Sequence, residues 1–181
     1  MDRRPDGLLA RSTAGEPVLT YEHEEQRQIA APVEAVFAVL IDVANHADLA
    51  GSGEVKSIRM MSAGDLQVGS EWEADELIKV GRTTQEFVAR STVREYDPPR
   101  VLSWTSMPPA TTKPVPRRIQ WWYRLTPQDG GTRVVERVEV DMGPVMNPLL
   151  RVPYRFMRGE TVAEGMRRTL ENLAVRSTAR P

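Results

Sequence analysis

Apolar residues along the chain switch between a period of two, typical of strands, and a period near 3.6, typical of helices. Between Val18 and Ala30 the alternation is mixed and ends in Ile29, which predicts a first strand. Pro32 then suits the first turn of a helix, because its missing N–H would have no helical partner there. The following apolar residues share one helical face: Val33, Val36, Phe37, Leu40 and Ile41.

From Glu54 to Met142 the period is two, and the pattern predicts six strands. These are Glu54–Met61, Ser70–Ile78, Thr84–Tyr96, Val101–Met107, Arg117–Leu125 and Thr132–Met142. Most links between them are short and turn-forming, so sequence neighbours are expected to pair antiparallel. The link from Pro108 to Pro116 is longer and holds four prolines, and it is expected to pass over an edge or opening of the sheet.

Pro98 and Pro99 stand between two of these strands in the stretch "VREYDPPRVLSW". A proline cannot donate a hydrogen bond to a central ladder. The pair therefore predicts a sharp break, after which the next strand returns alongside the previous one.

After Met142 the helical period returns, and residues 147–177 predict a long C-terminal helical segment. Pro148 lies near its start, and Pro153 is expected to kink the helix or divide it. An apolar stripe follows, formed by Val162, Met166, Leu170 and Leu173. This helix is the only element large enough to cover one face of the sheet. The sheet is expected to curl around it, in an α+β fold.

Length and composition fit one globular domain. The chain has 181 residues, of which 40% are hydrophobic and 27% charged. We expect a domain over residues 18–176, between a flexible tail of residues 1–17 and a short tail of residues 177–181. No apolar run approaches the ~20 residues of a membrane span. The first 17 residues also lack the apolar stretch of a secretory signal, so a cytoplasmic location is expected.

Several classes of function lose support from the composition. The chain has no cysteine, which excludes disulfides and thiolate nucleophiles. Its two histidines, His23 and His46, argue against a histidine-based metal centre, and no cofactor is expected. A formal net charge of −1 gives no general attraction to nucleic acid. The chain contains no G-x-S-x-G, H-E-x-x-H or G-x-G-x-x-G motif. The sequence leaves the oligomeric state open.

Four motifs follow one another along residues 20–175: "IAAPVEAVFAVLIDVANHADLAG", "EYDPPRVLSW", "YRLTPQDGGTRVVERVEV" and the Met/Leu stripe after Gly165. Together they resemble the START-like (SRPBCC) superfamily, near its polyketide cyclase/dehydrase branch. The resemblance implies a helix-grip fold of order β-α-α-β6-α. In that fold a curved seven-stranded antiparallel sheet surrounds the C-terminal helix and leaves a cavity. Many members bind lipids, sterols, polyketides or hormones, and some cyclise polyketides, so the fold alone does not define the function.

Strand parity predicts which side chains face such a cavity. The expected ligand-binding residues are Trp72, Phe87, Trp104, Trp121, Tyr123, Val138 and Met142 from the strands, with Met157 and Met166 from the helix. The alternative for the aromatic residues is core packing, since each buries roughly 150–250 Å². Both interpretations hold together where core and cavity are continuous.

Glu76 and Glu136 fall on the same predicted inner face. A carboxyl group on an apolar face is expected to have a raised pKa and to act as an acid or base. Tyr123 would assist it as a hydroxyl donor. The alternative is that each carboxylate reaches the cavity rim or pairs with an arginine such as Arg90.

Two further sets of polar residues are expected to have structural rather than ligand-binding roles. Asn45 and His46 follow the first helix and are expected to form a cap or surface, although the family cavity often opens near this position. Arg151, Arg155 and Arg158 share one helical face. We interpret that face as solvated, the alternative being contact with an anionic head group or a membrane surface.

Three hypotheses about function remain. The first is a protein that binds or transports a small hydrophobic molecule. The second is an aromatase/cyclase-type enzyme that uses Glu76, Glu136 or Tyr123 to move protons. The third is a partner-binding module whose cavity is filled. An open cavity with an isolated inner carboxyl group favours the enzyme, an open apolar cavity favours binding, and a closed cavity beside an exposed apolar patch favours the partner module.

Overall fold

The computed structural model describes residues 19–80, 83–109 and 116–179, and every structural statement below concerns those residues. The predicted N-terminal tail and most of the proline-rich link therefore lie outside the described residues. At the other end, the last helix continues to Thr178, two residues beyond the predicted domain boundary.

Seven strands form one antiparallel sheet in the order β1-β7-β6-β5-β4-β3-β2. The strands are β1 (Tyr21–Ile29), β2 (Val55–Met60), β3 (Glu71–Val80), β4 (Thr83–Asp97), β5 (Val101–Met107), β6 (Arg118–Gln128) and β7 (Gly131–Asp141). This confirms the predicted strands and the antiparallel meander. The predicted break at Pro98 and Pro99 is also confirmed, since β4 ends at Asp97 and β5 begins at Val101.

The turn between β6 and β7 fixes the register of the two strands that carry the inner carboxyl group. Asp129 and Gly130 both have positive φ, at 49° and 76°, as a two-residue type I′ hairpin turn requires. From that turn the pairing runs without interruption to Arg118 and Asp141. Tyr123 and Glu136 are consequently direct neighbours across the ladder.

The helices form two groups along the chain, one between β1 and β2 and one after β7. The first group comprises α1 (Val33–Leu40), a 3₁₀ turn (Val43–Asn45) and α2 (His46–Leu49). The second comprises α3 (Met146–Tyr154), a π turn (Arg155–Gly159) and α4 (Glu160–Thr178), which together form the long C-terminal helix. Pro153 lies inside α3 and is followed by the π turn, so the helix is irregular there but continuous. No helix in the described residues is both long and apolar enough to cross a membrane.

The inner face of the sheet is filled at one end and hollow at the other. Core residues at the filled end come from α1, α4 and the adjoining strand segments: Val36, Leu40, Val93, Leu102, Val134, Leu170 and Leu173. Towards α3 the same strands carry Trp104, Trp121 and Val138 on that face, but α1 does not reach them and a cavity remains. The predicted stripe on α4 is buried at Met166, Leu170 and Leu173.

A loop crosses α4 at very short range and forms one edge of the cavity. A Cβ at Gly51 would overlap the Cβ of Arg168 and the carbonyl oxygen of Gly165. The backbone N–H of Gly51 also donates a 2.9 Å hydrogen bond to Thr169 Oγ1. The two glycines thus allow backbone contact between loop and helix, which holds Ser52 and Glu54 beside the cavity.

Candidate functional site

A cavity of about 270 Å³ lies between the inner face of the sheet and the C-terminal helix. Six of the nine predicted ligand-binding residues line it: Trp72, Trp104, Trp121, Tyr123, Val138 and Met166. The predicted acid–base residues Glu76 and Glu136 line it as well. Strand parity therefore identified the aromatic residues and the two carboxyl groups that the strands contribute to the cavity wall.

The other three predicted ligand-binding residues lie away from this cavity. Phe87 pairs with Glu76 across the ladder, but it is half-buried and does not line the cavity. Met142 follows the last residue of β7, and its N–H donates to Asn147 Oδ1 at 2.7 Å, so strand parity no longer applies there. Met157 lies in the π turn with 63% of its surface exposed.

Trp104 is the centre of an aromatic cluster on the cavity wall. Its ring stacks on Tyr123, with centroids 5.6 Å apart and an interplanar angle of 11°. Trp72 and His46 pack around the same ring at centroid distances of 5.8 and 5.7 Å. Such a cluster presents a rigid, largely apolar surface to any molecule in the cavity.

His46 is a cavity-lining residue, whereas the sequence interpretation placed it in a cap or at the surface. Its Nε2 lies 2.6 Å from the carbonyl oxygen of Leu40, and its side chain is buried. Because a carbonyl oxygen only accepts, Nε2 donates and Nδ1 is left as an acceptor in the neutral ring. Burial lowers the pKa of His46, which favours that neutral form. Asn45 is exposed and donates to Asp42 Oδ2 at 2.8 Å, outside the cavity.

The inner end of the cavity holds a buried Tyr–Glu pair. The Tyr123 hydroxyl donates a 2.6 Å hydrogen bond to Glu136 Oε1, and the two residues are 3% and 2% exposed. The second oxygen, Glu136 Oε2, has no hydrogen-bond partner among the described residues. A buried carboxyl oxygen without a partner is energetically costly, so this atom is suited to a polar group of a bound molecule.

Burial raises the pKa of Glu136 to about 8. The hydrogen bond from Tyr123 acts in the opposite direction, and the charge of Glu25 adds to the increase. Burial also raises the pKa of Tyr123 well above its ordinary value. Near pH 7 Glu136 is therefore mostly protonated, and it presents both a donor and an acceptor.

A second polar cluster lies where β2, β3 and the π turn meet. Arg158 Nη1 and Nη2 donate to Glu54 Oε1 and Oε2 at 2.6 and 2.8 Å. Burial and the Glu54 charge raise the pKa of Glu76 to about 7, whereas Arg158 opposes the increase. The alternative partner Arg90 instead binds Glu73, at 3.1 Å.

The position of Arg158 corrects the interpretation of the three arginines as one solvated face. Arg151 and Arg155 are exposed, but Arg158 is half-buried and lines the cavity beside Tyr154. The π turn explains the difference, because a wider turn changes which side of the helix the following residues face. No sequence signal marked this turn beyond the nearby Pro153.

Within the described ranges, no group of three or more histidine, cysteine, aspartate or glutamate side chains could hold a metal ion. The carboxyl groups of the cavity wall are separated into two sites, the Tyr123–Glu136 pair and the Glu54–Glu76–Arg158 cluster. Hydrogen bonding and proton transfer are thus the chemistry that these side chains offer.

Solved structures with the same fold include two aromatase/cyclases. The di-domain ARO/CYC StfQ from the steffimycin biosynthetic pathway matches with a TM-score of 0.67 and 12% identity, over 88% of this chain and 51% of that one. The chain thus spans about half the length of StfQ. The Zhui aromatase/cyclase from Streptomyces sp. R1128 matches with a TM-score of 0.60 and 18% identity, over 88% and 96% of the two chains.

A plant protein shares the fold as well. The major latex-like protein 151 of Panax ginseng has a TM-score of 0.61 and 8% identity, over 89% of this chain and 98% of that one. No curated protein matches the sequence significantly. The model of the family described as "Polyketide cyclase / dehydrase and lipid transport" matches residues 21–178. The predicted superfamily and helix-grip fold are thereby confirmed, and the chain belongs to this polyketide cyclase/dehydrase and lipid transport family.

Proposed function

We propose that this protein binds a small, mainly apolar molecule in the cavity between its sheet and its C-terminal helix. The observation that carries the proposal is the open cavity of about 270 Å³ with three tryptophans and an unpartnered carboxyl oxygen on its wall. An empty apolar cavity of this size would cost about 6 kcal/mol by volume scaling. Total stabilities are only ~5–15 kcal/mol, so the cavity is expected to hold water or a ligand rather than to stay dry.

The dimensions and the wall chemistry narrow the ligand. The cavity lies just below the ~300–1,000 Å³ range of pockets for drug-sized molecules. This favours a compound of one or two rings or a short chain over a full-length membrane lipid. Its apolar part would contact Trp104, Trp72 and Trp121, and its polar group would reach Glu136.

Native mass spectrometry of the purified protein would test this proposal directly, because a bound compound appears as a mass addition that organic extraction removes. Calorimetric titration with an uncharged aromatic compound would then compare two tryptophan variants. We expect Trp104→Leu to weaken binding strongly. Trp122→Leu is the matched control, since Trp122 lies on the opposite face of β6, beside Arg137. Absence of any bound compound, together with equal affinities of the two variants, would refute the proposal.

An aromatase/cyclase-type activity is the second candidate, and the two carboxyl groups with pKa values near neutrality favour it. Glu76, partly ionised near pH 7, would accept a proton from a carbon between two carbonyl groups. Glu136 would protonate the oxygen of the second carbonyl group, whose carbon is attacked, so that its C=O π bond becomes a C–OH group. A carbon–carbon bond forms in that step, and later loss of one water molecule would give an unsaturated ring.

Incubation with a synthetic poly-β-ketone thioester, followed by mass spectrometry, separates the two candidates. A product lighter than the thioester by one water molecule, formed by the wild type but by neither Glu76→Gln nor Glu136→Gln, would support the enzyme. A thioester that binds and is recovered unchanged, beyond its spontaneous cyclisation in buffer, would leave binding as the function.

A further inference from the structure

Carboxyl groups outnumber cationic groups on the described part of the cavity wall. Among the described lining residues, three carboxyl groups, those of Glu54, Glu76 and Glu136, accompany one guanidinium, that of Arg158. Both terminal nitrogens of Arg158 are engaged by the two oxygens of Glu54. The charge of Arg158 is therefore balanced by Glu54, and a negatively charged ligand would meet an excess of carboxyl groups on this wall.

Glu136 supplies the point at which a ligand would be anchored. Its Oε1 already accepts the Tyr123 hydroxyl, while Oε2 is buried and unpartnered. A ligand ammonium or hydroxyl group could donate to Oε2. A carboxylate or phosphate could only accept the proton of Glu136, and its charge would then lie among the carboxyl groups of Glu54 and Glu76. The aromatic rings around Trp104 add to this preference, since the negative face of a π system attracts cations.

We infer that the ligand of this cavity carries an ammonium or hydroxyl group that donates a hydrogen bond to Glu136 Oε2, and that compounds with anionic head groups are excluded. This inference rests on the proposed binding function and specifies its ligand class. It distinguishes apolar amines and alcohols from fatty acids and phospholipids.

Calorimetric titration with three compounds that share one ring system tests the inference: 2-naphthylmethylamine, 2-naphthylmethanol and 2-naphthoate. We expect the naphthoate to bind about tenfold more weakly than the other two. In Glu136→Gln, which keeps an acceptor for Tyr123, the preference for amine over acid should shrink about tenfold. Glu86→Gln, an exposed change on β4, is the matched control for net charge and should leave the preference unchanged.

Naphthoate binding as tightly as the amine, or an unchanged preference in Glu136→Gln, would overturn this inference and leave the binding function standing. If none of the three compounds binds and the purified protein carries no compound, the proposed function fails and the inference fails with it.

A separate feature lies on the outside of α3 and the π turn. Leu149, Val152 and Phe156 are 64%, 62% and 83% exposed, and their spacing of three and four residues places them on one face. The segment from Val145 to Gly159 contains three arginines and no acidic residue. Arg151 and Arg155, both exposed, form no ion pair with the described residues.

This surface fits an anionic bilayer better than a second copy of the chain. A two-fold contact through Leu149, Val152 and Phe156 would bring the exposed arginines of the two copies together. The segment supplies no acidic residue to separate their charges. A bilayer offers an apolar layer for the stripe and phosphate groups for the arginines. We propose that the stripe of Leu149, Val152 and Phe156 docks on an anionic membrane surface. The opposite side of this segment contributes Tyr154 and Arg158 to the cavity. Docking would therefore place the cavity wall near the apolar layer of the bilayer.

Co-sedimentation with vesicles tests the docking surface. We expect binding to phosphatidylcholine vesicles that contain about 30% phosphatidylserine, and little binding to phosphatidylcholine alone. Phe156→Ser and Arg151→Gln/Arg155→Gln should each weaken it several-fold. Val175→Ser is the matched control, because Val175 is 67% exposed near the other end of the same long helix. No vesicle binding, equal loss in Val175→Ser, or light scattering that shows a dimer broken by Phe156→Ser would overturn the proposal.

Discussion

The Tyr123 hydroxyl donates a 2.6 Å hydrogen bond to Glu136 Oε1 across neighbouring positions of the β6–β7 ladder. Both residues are buried, and the register that joins them is fixed by the two-residue turn at Asp129 and Gly130. The distance lies at the short end of the range for O–H···O hydrogen bonds. The turn residues Asp129 and Gly130 therefore determine which polar groups meet on the cavity wall.

Tyr123→Phe should destabilise the protein, because the change leaves a second buried oxygen of Glu136 without its donor. We expect the free energy of unfolding in urea to fall by ~1–3 kcal/mol. The pKa of Glu136 should rise further, since the tyrosine hydrogen bond is what lowers it. Carbon-13 NMR titration of the glutamate carboxyl groups would measure that change.

Tyr96→Phe is the control for loss of a tyrosine hydroxyl. Its ring packs on Phe37, and its hydroxyl forms no hydrogen bond with the described residues. A Tyr123→Phe variant as stable as Tyr96→Phe, with no change in the titration of Glu136, would show that the buried hydrogen bond has no energetic role.

Stability should decrease as the pH rises, and Glu136 should account for much of the decrease. The folded carboxyl group keeps its proton up to a pKa of about 8, whereas the ordinary value is 4.5. Between these values the native state binds more protons than the unfolded state, so its stability falls with increasing pH. Glu76 acts in the same direction up to about pH 7.

Urea unfolding at about pH 5 and about pH 8.5 would measure this effect, and we expect the wild type to lose on the order of a few kcal/mol. Glu136→Gln cannot ionise and should lose clearly less over the same interval. Glu86→Gln should follow the wild type, because Glu86 is exposed. Parallel curves for all three proteins would rule out a raised pKa of Glu136 in the folded state.

Much of the cavity wall was predictable because it lies on long strands with an uninterrupted period of two. Trp72, Trp104, Trp121, Tyr123 and Glu136 all have the predicted side-chain direction. Parity needs only the position of a residue within a strand, which the sequence indicates well when turn residues mark both ends.

The prediction failed where the regular period ends. Met142 follows the end of β7, and the π turn sends Met157 outwards while Arg158 reaches the cavity. A change of helical phase by one residue leaves no clear pattern in the sequence. The partnership of Arg158 with Glu54 was equally hidden, because it joins residues 104 positions apart.

Gly51→Ala should destabilise the fold, since its Cβ would overlap Arg168 and the backbone of Gly165 on α4. Overpacking of this kind typically costs ~1–3 kcal/mol, and it would move the loop that carries Glu54. We expect a lower melting temperature and weaker ligand binding. Gly53→Asn is the control in the same loop. A Cβ there meets no atom within 4 Å, and asparagine tolerates the positive φ of 65°. Equal melting temperatures for the two variants would contradict the close loop–helix contact.

The Glu54–Arg158 pair should behave as one coupled unit. Both side chains are less than one fifth exposed, at 19% and 17%, so loss of either partner leaves a charge in a partly desolvated site. Each single change, Glu54→Gln or Arg158→Met, should therefore destabilise the protein more than an exposed ion pair would. The double variant should be less destabilised than the sum of the singles, with a coupling energy of ~1–3 kcal/mol.

The exposed pair of Arg27 and Glu171 provides a matched cycle, since its side chains are 44% and 57% exposed and its atoms are 3.3 Å apart. We expect a coupling energy below ~1 kcal/mol for that pair. In Arg158→Met the pKa of Glu76 should also rise, because Arg158 is the group that opposes the effects of burial and of Glu54. Strict additivity at Glu54 and Arg158, with an unchanged titration of Glu76, would mean that the guanidinium does not control the charge of this part of the cavity wall.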